Sequence, residues 1–158
     1  FDLLINAWKG IDEKLEIIGD GLEKNNLLTI IKDNNLADQI TIRSEVNSQE
    51  LGNIYRRAKA LIITSAREGG PRVALEAAAF NLPVFGTNVG IMGELFPQEV
   101  LADPNNEDEI ISLIRSFVPL AKNLDVSAIK ERVFESYTVE SSAKKVSKIY
   151  NSVLSNSL

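Results

Sequence analysis

The sequence predicts an α/β domain: a doubly wound, mostly parallel sheet with helices on both faces, formed by a single unit over residues 1–158. Short apolar runs of strand length alternate with longer stretches of helical period, as in repeated β-α units. The chain has 158 residues and is 44% apolar, enough for one domain to bury a core. A sheet of this kind binds ligands at the carboxyl ends of its strands.

The elements follow in a regular order along the chain. The first is an amphipathic helix whose apolar face also carries Trp8, so Trp8 is expected in the core. The helix that follows the second strand begins near Ser48, which is a suitable N-cap. Strands are predicted over 15–18, 40–43, 60–64, 83–87 and 100–102, and helices over 26–34, 48–58, 73–79 and 106–118.

The last part of the chain, beyond Pro119, is predicted to be helical. One apolar stripe contains Val126, Ile129 and Val133. The final helix carries another stripe, and we expect this stripe to pack against the domain, the alternative being a helix that crosses to a second domain. Its members are Ala143, Val146, Tyr150 and Val153.

Charge and composition exclude several classes of function. There are 17 basic and 22 acidic residues, giving a net charge of -5, and no Lys/Arg cluster that would indicate a nucleic-acid partner. No apolar run approaches the roughly 18 to 20 residues that span a bilayer, and no signal-peptide pattern is present, so the domain itself is expected to be soluble. Without cysteine or histidine, disulfides and thiolate or imidazole metal sites are excluded, and no metal site is predicted.

The segment 65–77 has the strongest pattern for ligand binding. It follows the apolar strand 60–64, and Gly69-Gly70 supply a turn that a ligand can approach closely. Pro71 suits the first turn of the helix that follows. The free amides of Arg72 and Val73 would then face an anion, and a diphosphate fits there.

Two carboxylates, Glu68 and Glu76, lie eight positions apart across this loop-to-helix junction. The stretch resembles the Glu-x7-Glu signature of retaining glycosyltransferases of the two-domain GT-B architecture, of the group 1 or family 4 type. The similarity continues in order over nearly the whole chain, at 15–21, 50–55, 82–84, 87–90, 93–95 and 102–104.

The resemblance implies the C-terminal, donor-binding half of such an enzyme, with a Rossmann-like sheet. Relatives carry a strand and an Arg/Lys loop just upstream of the first helix, and these have no counterpart before Phe1. That strand would lie near the middle of the sheet, so we expect a neighbouring chain, a register change or upstream residues to occupy its place. The chain is thus expected to be a fragment of a two-domain enzyme, inactive when isolated.

The same resemblance implies roles for the two glutamates. Glu76 would accept hydrogen bonds from the two vicinal hydroxyls of a ribose; a glutamate that merely complements the helix dipole is the alternative. Glu68 would lie along the donor sugar, bind its hydroxyls and stabilise positive charge at the anomeric carbon, as the catalytic residue; a solvated loop residue is the alternative.

The surrounding donor-binding residues are also implied by the resemblance. Gly69 and Gly70 would present amides to the sugar and diphosphate, although many relatives have a bulky residue at the position of Gly70 and glycine at that of Pro71. Because Pro71 has no N–H, phosphate binding would depend on the Arg72 and Val73 amides. The Arg72 side chain is either a phosphate clamp or an ordinary surface arginine.

Six residues after other strands complete the predicted donor site. The glycines would let a ligand approach the backbone, the pair after the second strand would line the base pocket, and the last pair would border the sugar. Turn chemistry alone explains the glycines and Asn88 equally well. The six are Gly19 and Gly21, Ser44 and Val46, and Thr87 and Asn88, and Gly90 would border the sugar beside the last pair.

The function implied is transfer of a sugar from a nucleoside-diphosphate sugar, with a UDP-sugar preferred, to an acceptor hydroxyl with retention and same-face attack. No cofactor is expected. The acceptor, a saccharide or lipid-linked saccharide, would bind the other half of the enzyme. The resemblance also implies polysaccharide or glycolipid assembly in the cytoplasm, at the inner membrane face if the other half binds there. Two alternatives stay open: a related GT-B hydrolase or epimerase, and a non-catalytic nucleotide-binding or assembly module.

Overall fold

The computed structural model describes residues 1–155, with side chains described to residue 152. Parallel strands alternate with helices over the first two thirds of this part of the chain, and three consecutive helices complete it. Val153 of the predicted final stripe therefore lies outside the described side chains. The strands are β1 (Leu15–Ile18), β2 (Ile40–Arg43), β3 (Leu61–Ile63), β4 (Val84–Thr87) and β5 (Leu101–Ala102). The helices are α1 (Asp2–Ala7), α2 (Lys24–Asp33), α3 (Ser48–Arg57), α4 (Arg72–Ala79), α5 (Met92–Leu95), α6 (Glu107–Asn123), α7 (Ser127–Ser136) and α8 (Val139–Ser155).

The strands form two parallel sheets. β1 pairs with β2, with Leu15 opposite Ile40, and the other sheet has the order β3-β4-β5, with Leu61 opposite Val84. The predicted α/β class with parallel strands is confirmed. Among the described residues, β1 and β3 are not paired with each other, so the sheet is interrupted where a further strand was expected. What occupies that place stays a prediction.

A helical layer joins the two sheets into one core. α1, which precedes β1, packs against α6, which covers β4. Trp8 is buried and stacks on Phe117 of α6, with ring centroids 5.4 Å apart, and Phe117 meets the edge of Phe85 in β4 at 6.1 Å. The prediction that Trp8 is a core residue is confirmed, and the apolar core is continuous across the interruption.

An ion-pair network fixes α3 to the first sheet. Arg43 of β2 bonds to Glu16 of β1 at 2.8 Å and to Glu50 of α3 at 2.5 Å, and Arg57 reaches Glu16 at 2.5 Å. Burial raises the pKa of Glu16, but the hydrogen bonds from the two arginines outweigh it and leave this pKa below its usual value. The network matters to the site because α3 also carries Tyr55.

Several predicted boundaries are corrected. The N-cap of α3 is Asn47, whose side chain accepts from the N–H of Glu50 at 2.9 Å, and Ser48 is already helical. Pro71 precedes α4 as its N-cap instead of lying in the first turn. α6 continues through Pro119, because its apolar face, with Phe117 buried, extends past the one missing N–H. The short helix α5 was not predicted.

The expected packing of the final stripe is wrong. On α8, Val146 is 52%, Ile149 63% and Tyr150 67% exposed, and Ala143 is exposed as well. The helix leaves the domain after α7, the element against which it packs, and its apolar face therefore points away from the core.

Candidate functional site

Two loops lie side by side at the carboxyl ends of β3 and β4, because these strands are paired in parallel. The loop after β3 spans 64–71 and carries Glu68. The loop after β4 begins at Asn88 and leads into α5. The residues predicted to form the catalytic part of the site are thereby brought to one edge of the second sheet.

A hydrogen bond from the last residue of β4 fixes the start of the loop after β3. The Thr87 hydroxyl donates to the carbonyl of Ser65 at 2.6 Å, and Thr87 is fully buried. Thr87 was predicted to border the sugar; the structure places it beneath the loop, with its hydroxyl already bonded. Asn88, the other predicted residue here, is exposed, and its N–H donates to the Ala102 carbonyl at 2.8 Å.

Gly90 holds the same loop from the side. Its φ of +52° lies in the left-handed region. A Cβ at this position would lie 2.5 Å from the carbonyl oxygen of Gly69 and 2.8 Å from that of Glu68. Glycine is therefore required where the two loops touch, and the backbone that carries Glu68 depends on it.

Glu68 itself is exposed. One carboxylate oxygen, Oε1, accepts a hydrogen bond from the Ser65 hydroxyl at 2.9 Å. Ser65 thus connects the buried Thr87 to the exposed glutamate, through its carbonyl on one side and its hydroxyl on the other. Sequence reasoning did not assign Ser65 a role, and it expected Gly90 to border the sugar or to serve only the turn, not to contact the loop of Glu68.

The first turn of α4 offers open backbone donors. Its N-cap Pro71 has an extended backbone and makes no side-chain cap, so the N–H groups of Arg72 and Val73 have no intrahelical acceptor. Gly69, Gly70, Arg72 and Val73 are all exposed. Within residues 1–152, the Arg72 guanidinium has no ion-pair partner. Such a helix start is suited to an anion.

Glu76 lies one turn further along α4, in a different environment. It is partly buried, and its Oε2 accepts a hydrogen bond from the Tyr55 hydroxyl of α3 at 3.1 Å. Burial, then the charge of Glu76 and this hydrogen bond, raise the pKa of Tyr55 well above its usual value. Sequence reasoning placed Tyr55 on the apolar face of this helix and at the end of the family-like stretch 50–55, but gave its hydroxyl no role. Its hydroxyl was the available signal, because a buried tyrosine hydroxyl usually has a partner.

The other predicted donor-binding residues form a second group at the ends of β1 and β2. Gly19 has a φ of +146° and donates to the Arg43 carbonyl at 2.9 Å. Lys24 bonds to Asp20 at 2.8 Å and approaches the Ser44 hydroxyl at 3.4 Å, so it ties the two loops together. Gly21 is exposed and Val46 is partly buried. Lys24 and Asp20 were not singled out from the sequence.

The two groups are not joined directly. No hydrogen bond or ion pair found among the described side chains links the loops after β1 and β2 to those after β3 and β4.

In the described part of the chain, no group of three or more acidic side chains could hold a metal ion. No helix described here has the length and apolar character needed to cross a membrane.

Comparison with known proteins identifies the class to which this fold and site belong. The chain belongs to the glycosyl transferases group 1 family, whose model matches residues 1–131. The family and the GT-B-like fold expected from the resemblance are thereby confirmed, while the roles of the site residues stay predictions.

A relative of known sequence agrees with this assignment. The chain is 32% identical over 112 residues to the uncharacterized glycosyltransferase MJ1178 of Methanocaldococcus jannaschii. The aligned region covers 69% of this chain and 32% of that protein. The chain therefore spans about a third of that relative's length.

Solved structures show the same fold. Sucrose-phosphate synthase from Thermosynechococcus elongatus superposes with a TM-score of 0.81 at 22% identity, covering 98% of this chain and 42% of the synthase. The pneumococcal O-GlcNAc transferase GtfA, solved in complex with UDP and GlcNAc, gives a TM-score of 0.72 at 22% identity over 97% of this chain and 32% of GtfA.

Proposed function

We propose that this chain is the donor-binding domain of a retaining glycosyltransferase that moves a sugar from a nucleoside-diphosphate sugar to an acceptor hydroxyl. The observation that carries the proposal is the start of α4: open amides at Arg72 and Val73 with Glu76 one turn away, at a strand end, in a chain of this family. Amides recognise a diphosphate and a carboxylate recognises vicinal hydroxyls, so the pair fits a nucleotide-sugar.

The diphosphate belongs at the helix start. The Arg72 and Val73 amides donate to it, the exposed backbone of Gly69 and Gly70 permits close approach, and the free Arg72 guanidinium contributes positive charge. As the bond to the sugar breaks, negative charge accumulates on the departing diphosphate. The same donors therefore bind more strongly in the transition state than in the ground state, which lowers the barrier.

Glu76 binds the ribose, and Glu68 acts on the sugar. The exposed Glu68 carboxylate can lie against the donor sugar, accept hydrogen bonds from its hydroxyls and stabilise positive charge at the anomeric carbon. One of its two carboxylate oxygens already accepts a hydrogen bond from the Ser65 hydroxyl. Retention would then follow from attack on the face that the leaving group departs from.

The remaining assignments extend this proposal. Gly19, Gly21, Ser44 and Val46 would border the nucleobase from the first sheet, with UDP preferred because GtfA, a protein of the same fold, was solved with UDP. We also propose that the acceptor is a saccharide or a lipid-linked saccharide. The enzyme would then act in polysaccharide or glycolipid assembly, in the cytoplasm at the inner membrane face. The proposal includes no cofactor, so EDTA should leave transfer by the full-length protein unchanged.

The test is titration calorimetry of the full-length protein with UDP, GDP and ADP. Glu76→Ala should weaken the preferred nucleotide about 100-fold, since it removes charge-assisted hydrogen bonds worth about 3 kcal/mol together. The control is Glu107→Ala, which removes a glutamate from the start of another helix, α6, where the side chain is exposed and lies away from α4. Equal affinities in the wild type and Glu76→Ala would refute the ribose assignment.

A second variant separates transfer from nucleotide binding. Glu68→Ala should abolish most turnover of a UDP-sugar while nucleotide affinity stays within about twofold, because this carboxylate contacts the sugar. Unchanged turnover would favour the non-catalytic module. Release of free or epimerised sugar without a glycoside product would favour the related hydrolase or epimerase.

A further inference from the structure

The Glu76 carboxylate is connected to a neighbouring helix. Its Oε2 accepts the hydrogen bond from Tyr55, and the structure gives Oε1 no protein partner among the described residues. A carboxylate with one oxygen fixed and the other open can be oriented by protein and still bind a ligand. The orientation of Glu76 therefore depends on α3 as well as on its own helix.

The Tyr55 ring is held firmly. It is 5% exposed and packs against Phe80 at the end of α4, with ring centroids 5.5 Å apart. The Arg56 guanidinium lies 5.1 Å from the Phe80 ring centroid, and a Cβ at Gly52 would be 3.3 Å from Phe80 Cζ. Gly52 thus lets α3 approach closely, and the ring of Tyr55 has little freedom to rotate its hydroxyl away from Glu76.

The hydroxyl also keeps its proton. Burial, followed by the negative charge of Glu76 and the hydrogen bond to it, raises the pKa of Tyr55. Tyr55 is therefore the donor of this hydrogen bond and Glu76 the acceptor.

We propose that Tyr55 is a positioning residue for nucleotide recognition: it holds the Glu76 carboxylate in the orientation that receives the ribose hydroxyls. This inference rests on the proposed ribose role of Glu76. Fixing the carboxylate in advance lowers the entropy lost when the ribose binds. Without the hydroxyl, the Glu76 side chain would still be present, but it would sample orientations that do not face the ribose.

A packing role is the competing explanation, and it makes a different prediction. If Tyr55 only fills space between α3 and α4, phenylalanine would replace it without selective loss of ribose recognition. Tyr137 supplies a matched control, because its hydroxyl lies 3.3 Å from Oε2 of Glu94, a second tyrosine–glutamate pair that is exposed. Tyr137→Phe removes the same chemical group away from α3 and α4.

The experiment measures the affinity of full-length wild type, Tyr55→Phe and Tyr137→Phe for the preferred nucleotide of UDP, GDP and ADP, and for its 2′-deoxy form. The wild type should prefer the ribonucleotide. Tyr55→Phe should weaken the ribonucleotide about tenfold, or about 1.4 kcal/mol, while the deoxynucleotide changes less than about threefold. Tyr137→Phe should bind as the wild type does. A crystal structure of Tyr55→Phe should show the Glu76 side chain displaced or disordered.

Each other result overturns the inference. Equal losses for both nucleotides would show a packing role, and no loss for either would show that the hydroxyl is dispensable. An undisturbed Glu76 in the crystal structure of Tyr55→Phe would refute the positioning role without reference to any ligand. If the wild type binds nucleotide without preferring ribose, or does not bind, the ribose assignment itself fails and the inference fails with it. In that case, a displaced Glu76 in the crystal structure of Tyr55→Phe would show that the Tyr55–Glu76 hydrogen bond orients the side chain without serving nucleotide recognition.

Discussion

Glu76 and Glu68 are eight residues apart in the chain but are held in different ways. Glu76 lies on α4, partly buried, with its carboxylate bonded to a buried tyrosine from another helix. Glu68 lies on an exposed loop, and its carboxylate is bonded to a serine three residues earlier in the same loop. The helical position is fixed by tertiary packing, whereas the loop position depends on backbone contacts with the loop after β4.

The difference matches the chemistry proposed for each residue. A ribose is the same in every turnover and is best recognised by a carboxylate fixed in advance. A reacting sugar changes shape and charge along the reaction, and a carboxylate on a loop can follow it. Changes around Glu76 should therefore affect nucleotide affinity, and changes around Glu68 should affect turnover.

The largest effect that would sharpen this comparison is expected at Gly90. In Gly90→Ala the new Cβ would meet the carbonyls of Gly69 and Glu68 at 2.5 and 2.8 Å, so the loop must move. A displacement of this size should lower sugar turnover about 100-fold, since a misplacement near 1 Å can cost that much. The strained φ should also lower the free energy of unfolding by about 2 kcal/mol. Nucleotide affinity should change little.

Gly10→Ala is the control for backbone strain. Gly10 also has a positive φ, +84°, but a Cβ there would have nothing within 4 Å. This variant should lose stability and keep its turnover. If both variants turn over sugar equally well, the contact between the two loops does not position Glu68.

A smaller effect is expected on the free energy of unfolding at alkaline pH, where the surroundings of Glu76 should titrate and those of Glu68 should not. Tyr55 has a raised pKa in the folded protein, whereas in the unfolded chain it loses its proton around the ordinary tyrosine pKa of 10.0. Above that pH the unfolded state binds fewer protons than the folded state, so stability falls as pH rises. Between about pH 9 and 11 the advantage of wild type over Tyr55→Phe in chemical denaturation should shrink by about 1.4 kcal/mol.

Ser65→Ala is the matched comparison for this titration, because it removes a hydroxyl from the other glutamate. Its stability difference from wild type should be the same at both ends of that pH range. A constant difference for Tyr55→Phe over this range would contradict the raised pKa and the buried state of the Tyr55–Glu76 pair.

The smallest effect is expected for the turnover of Ser65→Ala. The variant loses one exposed hydrogen bond to Glu68, worth about 0.5 to 1 kcal/mol. Sugar turnover should fall two- to fivefold, with nucleotide affinity unchanged. In a Glu68→Ala background the same substitution should have no further effect, because the acceptor is gone. A further loss there would show that Ser65 acts independently of Glu68.

Much of the fold could be predicted because apolar periodicity reports burial. The strand over residues 15–18 was predicted with the bounds of β1, and the helix over 73–79 differs from α4 by one residue. Pro119 misled the prediction of α6, since its missing N–H is a local signal and the apolar face that carries the helix through it is a tertiary one. The apolar stripe of α8 was expected to be packed and is exposed. Periodicity predicts that a helix has an apolar face, but it does not predict what covers that face.

The sequence by itself determined the order of the strands and of the helices other than α5, the resemblance to the family and the positions of the two glutamates, because these depend on residue type and spacing along the chain. Only the tertiary structure decided what surrounds those glutamates. Tyr55 reaches Glu76 across 21 positions, and Thr87 reaches the loop of Glu68 across 22. Such contacts depend on how α3, α4 and β4 pack in space, and neither periodicity nor local spacing encodes distances between elements that far apart in the chain.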